Sequence, residues 1–301
     1  MILPGVSEAN RCSVLAEAPL KLLYDKDDLP HAKALRDERF KWLIQLGAVD
    51  LSKAPLNDEG FLFSYEHGED HYQKLVIDRP HVYDRPEFRQ DLVCLDTVLQ
   101  RLNESGVEIV TPKTWAIGVD DDLPDDLEFP LFVRTPKSSW KRGGTQSRAN
   151  NRKQLVDEMD LLRRAFGWDT KILARRWINV AVAGEFMFGE APQEVRVWIV
   201  NQRPVAWSFH YLHVVPSPTG FPPSAKDLTI LAERSERIGS AFQSRLIVAD
   251  FVCDQRGDWW FLEAGPGAAA GTAHEAVFKF VADMLRSGNG TMTDDSVGGR
   301  L

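Results

Sequence analysis

The chain has 301 residues, with 36 Lys and Arg against 44 Asp and Glu, 44% hydrophobic and 27% charged. That length suits one large domain or two moderate ones, and the composition excludes a wholly disordered or collagen-like chain. A formal net charge of −8 argues against non-specific binding to nucleic acid or an anionic membrane, because both require clustered positive charge.

Three cysteines, Cys12, Cys94 and Cys253, with no CxxC pair, supply neither a disulfide framework nor a cysteine-based zinc site. No apolar run approaches the ~20 residues that cross a bilayer. Met1 to Lys21 carries Pro4, Glu8, Arg11 and Glu17 in place of an unbroken apolar stretch. The expectation is a cytoplasmic protein with reduced thiols.

In chain order, Leu22 to Tyr24 is a short apolar run, and His31 to Leu46 has helical spacing that stops at Gly47. Phe61 to Phe63 reads as a strand, followed by an irregular stretch to Pro86. Asp91 to Asn103 reads as one amphipathic helix ending near Gly106. Residues 1–104 thus form a smaller N-terminal α/β module, and a strand-rich module fills 105–286. Val107 to Val110 and Phe129 to Arg134 read as strands, and Gln154 to Phe166 as a helix. Lys171 to Val182, Val195 to Val200 and Pro204 to Phe209 read as strands, with a hairpin turn at Asn201-Gln202. Leu228 to Phe242 is helical, Leu246 to Cys253 and Trp259 to Glu263 form a strand pair, and Ala273 to Leu285 is the last helix. Residues 287–301, rich in Gly, Ser, Thr and Asp, read as a disordered tail.

Two places could carry chemistry. The segment after Phe129–Arg134 runs Arg134-Thr-Pro-Lys137-Ser-Ser-Trp-Lys141-Arg142-Gly143-Gly144-Thr145. Glycine lets backbone amides approach an anion, and the cations neutralise it, so this fits a loop over a triphosphate; a solvated basic turn is the plain alternative. No GK[ST] opens a helix there, so it is not a P-loop. Asp250 and Glu263 lie on adjacent strands within apolar surroundings. Two carboxylates projecting together repel unless a cation sits between them, and hard Mg²⁺ takes oxygen ligands.

Other patterns carry less. Gly265-Pro-Gly267-Ala-Ala-Ala-Gly271 has the wrong spacing for a dinucleotide fingerprint and too little chain after it, and reads as a built turn. His67 and His71 have a metal-like spacing, but Gly68 and the lack of a third ligand favour a solvated loop.

In this order the features resemble the ATP-grasp superfamily, over about residues 92 to 280. Val107-Glu-Ile-Val-Thr-Pro112 resembles its lead-in and Phe129-Pro-Leu-Phe-Val-Arg134 its phosphate-binding strand, as in small branches where Arg134 replaces the usual first Lys. Lys171 to Ile178 looks like the hinge that holds adenine, Glu194-Val-Arg196 opens the "E.R" hairpin, and Asp250 with Glu263 looks like the metal-binding strand pair. The resemblance implies an α+β ATP-grasp fold, two lobes clasping ATP after a smaller N-terminal α/β domain. It implies a ligase that activates a carboxylate as an acyl phosphate and joins it to an amine or other nucleophile. Under it, Arg134, Lys137, Lys141, Arg176, Trp177, Ile178 and Arg196 bind ATP, Asp250 and Glu263 hold Mg²⁺, and Arg196 and Lys141 act in catalysis. The partners it implies are small-molecule or peptide carboxylates and amines, with room for a homo-oligomer. Two departures stand out: Gly265 replaces the usual Asn ligand, and Arg175 and Arg176 replace an acidic hinge residue. The alternative is a non-catalytic nucleotide-binding or scaffold protein with a degenerate site.

Overall fold

The computed structural model describes residues 20–25, 41–64, 69–137, 147–186, 189–210, 215–216, 223–270 and 274–287. Its architecture is α+β. Strands β1 (Lys21–Tyr24), β2 (Val49–Asp50), β3 (Gly60–Phe63) and β4 (Val82–Tyr83) form a parallel sheet in the order β2-β1-β3-β4. Every residue of β3 is buried, as expected for a central parallel strand covered on both faces.

A second sheet, in the order β5-β8-β6-β7, joins β5 (Thr114–Ile117), β6 (Leu131–Arg134), β7 (Arg148–Ala149) and β8 (Ile172–Arg176). The helix Arg152–Phe166 covers it with Leu155, Met159 and Leu162, at i, i+4 and i+7. A small sheet of β9 (Val182–Phe186), β10 (Gly189–Pro192) and β13 (Val215–Pro216) follows.

The largest sheet is antiparallel, in the order β12-β11-β14-β15: β11 (Glu194–Val200), β12 (Arg203–Phe209), β14 (Leu246–Cys253) and β15 (Trp259–Pro266). Its two faces bury different clusters. Val195, Val197, Ile199 and Phe251 pack towards the helices Leu95–Glu104 and Ala225–Ser240. Trp198, Val200 and Val248 pack towards the helix Glu275–Arg286 and the first parallel sheet. The period-2 alternation of strands sorts these side chains to opposite faces.

Several local expectations need correction. The stretch read as irregular after Phe63 contains the helix Glu69–Val76, whose buried anchors, Tyr72 and Val76, are too sparse to show a helical period. The helix expected over Asp91–Asn103 is two helices, Pro86–Val93 and Leu95–Glu104, broken at Cys94 where φ is −116° and ψ 127°. Val107 to Val110 is not a strand: Val110 C=O accepts from Phe261 N–H at 2.8 Å, and the strand falls later, at Thr114–Ile117. Gly265 lies within β15 rather than in a turn, and β15 continues to Pro266 before a short 3-10 helix, Gly267–Ala269.

Among the described residues, no helix is long and apolar enough to cross a membrane. Met1 to Pro19, most of the helix expected from His31, the residues of the Pro216–Pro223 loop at 217–222, and all but the first residue of the expected tail lie outside the described residues.

Candidate functional site

Register brings the central charges together. Across the large sheet, Arg196 pairs with Asp250, and Asp250 with Glu263. Residues directly opposite in antiparallel strands project to the same face, so the three form one row. Along β14 this face is apolar at Leu246 and Val248 and turns acidic at Asp250.

Each carboxylate has a guanidinium. Arg196 Nε donates to Asp250 Oδ1 and Nη2 to Oδ2, both at 2.8 Å, a two-pronged geometry that suits arginine. Arg134, at the end of β6, donates through Nη1 to Glu263 Oε2. Burial alone would raise Asp250, but the charges of Arg196 and His210 overcome it and hold the carboxyl well below the usual range. Burial likewise opposes ionisation of Glu263, and the Arg134 charge outweighs it, leaving that carboxyl lowered. Both groups are therefore anionic at neutral pH.

Two cavities meet at this row. The first is lined by Phe132, Arg175, Trp177, Ile178, Glu194 and Leu262 among others, the second by Arg89, Lys137, Val248, Asp250, Gly265 and Ala270 among others. Arg134 and Glu263 belong to both walls. The ion pair is thus the partition between the two spaces.

The expected hinge residues line the first cavity, with one qualification. Trp177 N–H donates to Pro130 C=O at 3.0 Å, so that donor serves the sheet rather than the cavity. Arg148 stacks over the Trp177 ring at 4.6 Å. Arg176 lines the cavity from an exposed position, with Glu128 3.7 Å from its Nε. Lys137 sits exposed at the rim of the second cavity. Lys141, Gly143 and Gly144 lie outside the described residues, as does His67. His71 is in the helix Glu69–Val76 and contacts Asp25 Oδ2 at 3.0 Å, away from the charged row.

The structure adds three residues that the sequence did not single out for the site. Arg175 is buried and held by Leu262 C=O at 2.7 Å and by the hydroxyls of Thr111 and Thr114 at 3.1 and 3.2 Å. Burial, with the Arg134 charge nearby, pushes it down to about 9, still cationic at neutral pH. Glu194 and His210 face the same cavity. Burial alone would lower His210, but the charges of Glu194 and Asp250 raise it. Glu194 stood in the "E.R" motif, whereas nothing in the sequence marked His210, which simply follows β12 and donates its N–H to Glu194 C=O.

Which of these groups suit a metal can be judged from the donors. Asp250 and Glu263 offer hard carboxylate oxygens side by side, the chemistry a divalent cation such as Mg²⁺ takes. Glu194, His210 and Asp250 also bring ligand atoms within 4.8 Å of one another. There, however, Arg196 Nη2 lies 3.0 Å from His210 Nδ1 and 2.8 Å from Asp250 Oδ2, so a guanidinium already bridges two of the three. The Asp250–Glu263 pair, where Arg134 contacts one Glu263 oxygen, fits a cation better.

An ATP-grasp domain family, family 3 of its clade, matches residues 122–285. Solved structures resemble the chain at low identity. D-alanine–D-alanine ligase from Bacillus anthracis, complexed with ATP, superposes with a TM-score of 0.60 at 14% identity, covering 90% of this chain and 96% of its own. A RimK domain protein ATP-grasp from Sphaerobacter thermophilus gives 0.54 at 13%, covering 88% and 98%. N5-carboxyaminoimidazole synthetase from Staphylococcus aureus, complexed with ADP, gives 0.55 at 14%, covering 91% and 78%. A comparison with curated proteins finds no match.

Proposed function

Because the chain belongs to this ATP-grasp domain family, we propose that it is an ATP-dependent ligase that activates a carboxylate and joins it to an amine or other nucleophile. The observation that carries this reading is the shared wall. A nucleotide in the first cavity and an acid in the second would meet at Arg134 and Glu263, which line both.

The chemistry follows from that arrangement. A substrate carboxylate oxygen attacks the γ-phosphorus, and the bond from that phosphorus to the bridging oxygen breaks, leaving ADP. The amine then attacks the acyl carbon, phosphate departs with the C–O electron pair, and the amine gives up a proton. Phosphoryl transfer asks a protein chiefly for positioning and for neutralisation of charge. Arg134, Lys137 and Arg175 supply cations around the partition, with Lys141 a further candidate from the sequence. Arg196 holds Asp250 in place beside Glu263. Asp250 and Glu263 are the residues that would hold Mg²⁺, which would supply charge neutralisation at the phosphates. Trp177 and Ile178 would flank the adenine, and exposed Arg176 the nucleotide's outer edge. The structural neighbours include an amino-acid ligase and two ligases of D-amino acids, which supports small carboxylates and amines as the substrate class.

One pair of observations favours the non-catalytic reading: both Asp250 oxygens are taken by Arg196, and Gly265 offers no side-chain ligand. One experiment separates the two. ADP formation from Mg-ATP is measured with mixtures of carboxylic acids and amines, in wild type and Glu263→Gln. The ligase reading expects substrate-dependent ADP release, and Mg-ATP affinity weakened about tenfold or more in the variant, the scale of one lost charge-assisted contact. Mg-ATP binding with no ADP release under any mixture would support the scaffold reading. Unchanged Mg-ATP affinity in the variant would remove Glu263 from the metal site.

A further inference from the structure

We propose that the second cavity binds a small ligand through a carboxylate of its own, separate from any group that is phosphorylated, and that Arg89 is the residue that anchors it. This rests on the ligase reading and specifies the substrate class of the same site.

Arg89 lies on the helix Pro86–Val93 and lines the cavity although it is only 2% exposed. Burying a guanidinium is costly unless the charge is used, which makes a buried arginine on a cavity wall informative. Its plane is fixed: Cζ sits 4.1 Å from the centre of the Tyr72 ring, and that ring is itself buried, its hydroxyl donating to Asp84 C=O at 2.5 Å. Asp84 lies within electrostatic reach of Arg89, but its carboxylate oxygens are hydrogen-bonded by the Ser244 hydroxyl and the Arg245 amide. A rigid planar fork is the shape that recognises a carboxylate in two-pronged fashion.

The charges on the wall point the same way. Four cations, Arg89, Arg134, Lys137 and Arg196, face two carboxylates, Asp250 and Glu263. Those carboxylates are paired with Arg196 and Arg134. The positive excess therefore lies at Lys137 and Arg89, one exposed at the rim and the other deeply buried. A rim lysine suits the nucleotide's phosphates. The buried arginine suits an anion that enters fully, on a ligand whose body is apolar, because Leu92, Val93, Val248 and Ala270 line the same space.

The carboxylate has two sources, a diacid acceptor or an amino-acid amine, and binding measurements separate them. Wild type is titrated by calorimetry, with a non-hydrolysable ATP analogue and Mg²⁺, against succinate, glutarate and adipate, their monoamides, and butyrate, valerate and hexanoate. A second series compares alanine with alaninamide. We expect at least one free acid to bind about tenfold or more tightly than its amide, the scale of one charge-assisted contact. Preference within the diacid series assigns the anchored carboxylate to the acid substrate, and preference for alanine over alaninamide assigns it to the amine. The preference should vanish in Arg89→Gln and survive in part in Arg89→Lys, while affinity for the ATP analogue holds. Equal binding of free and amidated ligands by wild type overturns the proposal even if no Arg89 variant folds. Discrimination retained in folded Arg89→Gln overturns it as well. Binding of the ATP analogue is read separately, so a failed ligase reading is distinguishable from a failed Arg89 assignment.

Discussion

Two glycines two residues apart meet opposite constraints. At Gly265 an added Cβ would meet only Val248 Cγ2, at 3.9 Å, an ordinary contact. At Gly267 it would lie 2.3 Å from Leu246 Cγ, inside any tolerable separation. Gly265 is also two residues along β15 from Glu263, so a side chain there would project to the same face. Gly265→Asn is therefore expected to fold with an unchanged melting temperature and to bind Mg²⁺ more tightly in the presence of nucleotide, as titration of the metal would show. Gly267→Ala is expected to lose about 1–3 kcal/mol of stability, the usual penalty of overpacking, read from denaturant unfolding. The sequence alone suggests a built turn at Gly265; the strand pairing of Gly265 with Val248 moves that constraint to Gly267.

At the scale of elements, the charged row depends on pairing register, and register was partly legible. The Asn201-Gln202 turn, with φ of 47° and 67°, fixes the β11–β12 hairpin, and the turn around Gly257 fixes β14–β15. Both hairpins stand out as apolar runs around turn residues, so Asp250 and Glu263 could be placed together from the sequence. The pairing of β11 with β14 joins strands separated by the helix Ala225–Ser240, and no local pattern announces it. That pairing is what sets Arg196 against Asp250. The Cys94 break was hidden for a similar reason: Leu95 N–H donates to Pro136 C=O at 2.9 Å, a tertiary contact that outweighs helical continuity. Buried Arg89 stood in a stretch with no helical period of its own.

The helix Ala225–Ser240 was legible at both ends but began three residues earlier than expected. Ser224 and Asp227 form a reciprocal capping box, with Asp227 N–H donating to Ser224 Oγ at 3.2 Å and Ser224 N–H to Asp227 Oδ2 at 2.9 Å. Ser224→Ala is expected to cost about 1 kcal/mol in denaturant unfolding while leaving nucleotide affinity unchanged, because the cap lies apart from both cavities.

Across the whole molecule, Asp84 ties the end of the parallel sheet to the entry of β14. Its Oδ1 accepts from Arg245 N–H at 2.7 Å and its Oδ2 meets the Ser244 hydroxyl. Ser244 Oγ also lies 3.1 Å from Leu246 C=O, and one hydroxyl hydrogen serves only one of these acceptors. A protonated Asp84 supplies the second hydrogen, in keeping with burial that pushes its carboxyl up from 3.8 to about 6. A raised acid favours the folded state while protonated, so this contribution is complete below about pH 4 and is lost as pH climbs through 6. The displacement from 3.8 to about 6 corresponds to about 3 kcal/mol. Relative to Asp84→Asn, whose amide keeps a donor for Ser244, wild type is expected to lose stability by that order between pH 4 and 7. Unfolding at several pH values, with the variant as reference, checks the sign.

The cluster that joins the first sheet to the last helix also governs how the chain can be made. Trp42, Phe61 and Phe63 pack against Phe278, and Leu20 N–H donates to Arg286 C=O at 3.2 Å. During synthesis the aromatic face of the earliest strands has no cover until the final helix has left the ribosome. Such long-range closure is slow and leaves sticky surface waiting. The division at residue 104 is a proposal about organisation along the chain, and residues 1–104 expressed alone are expected to remain unfolded or to aggregate, as circular dichroism and light scattering would reveal. Truncation before residue 275 should do the same to the full-length protein, so a late stop is expected to be as harmful as an early one.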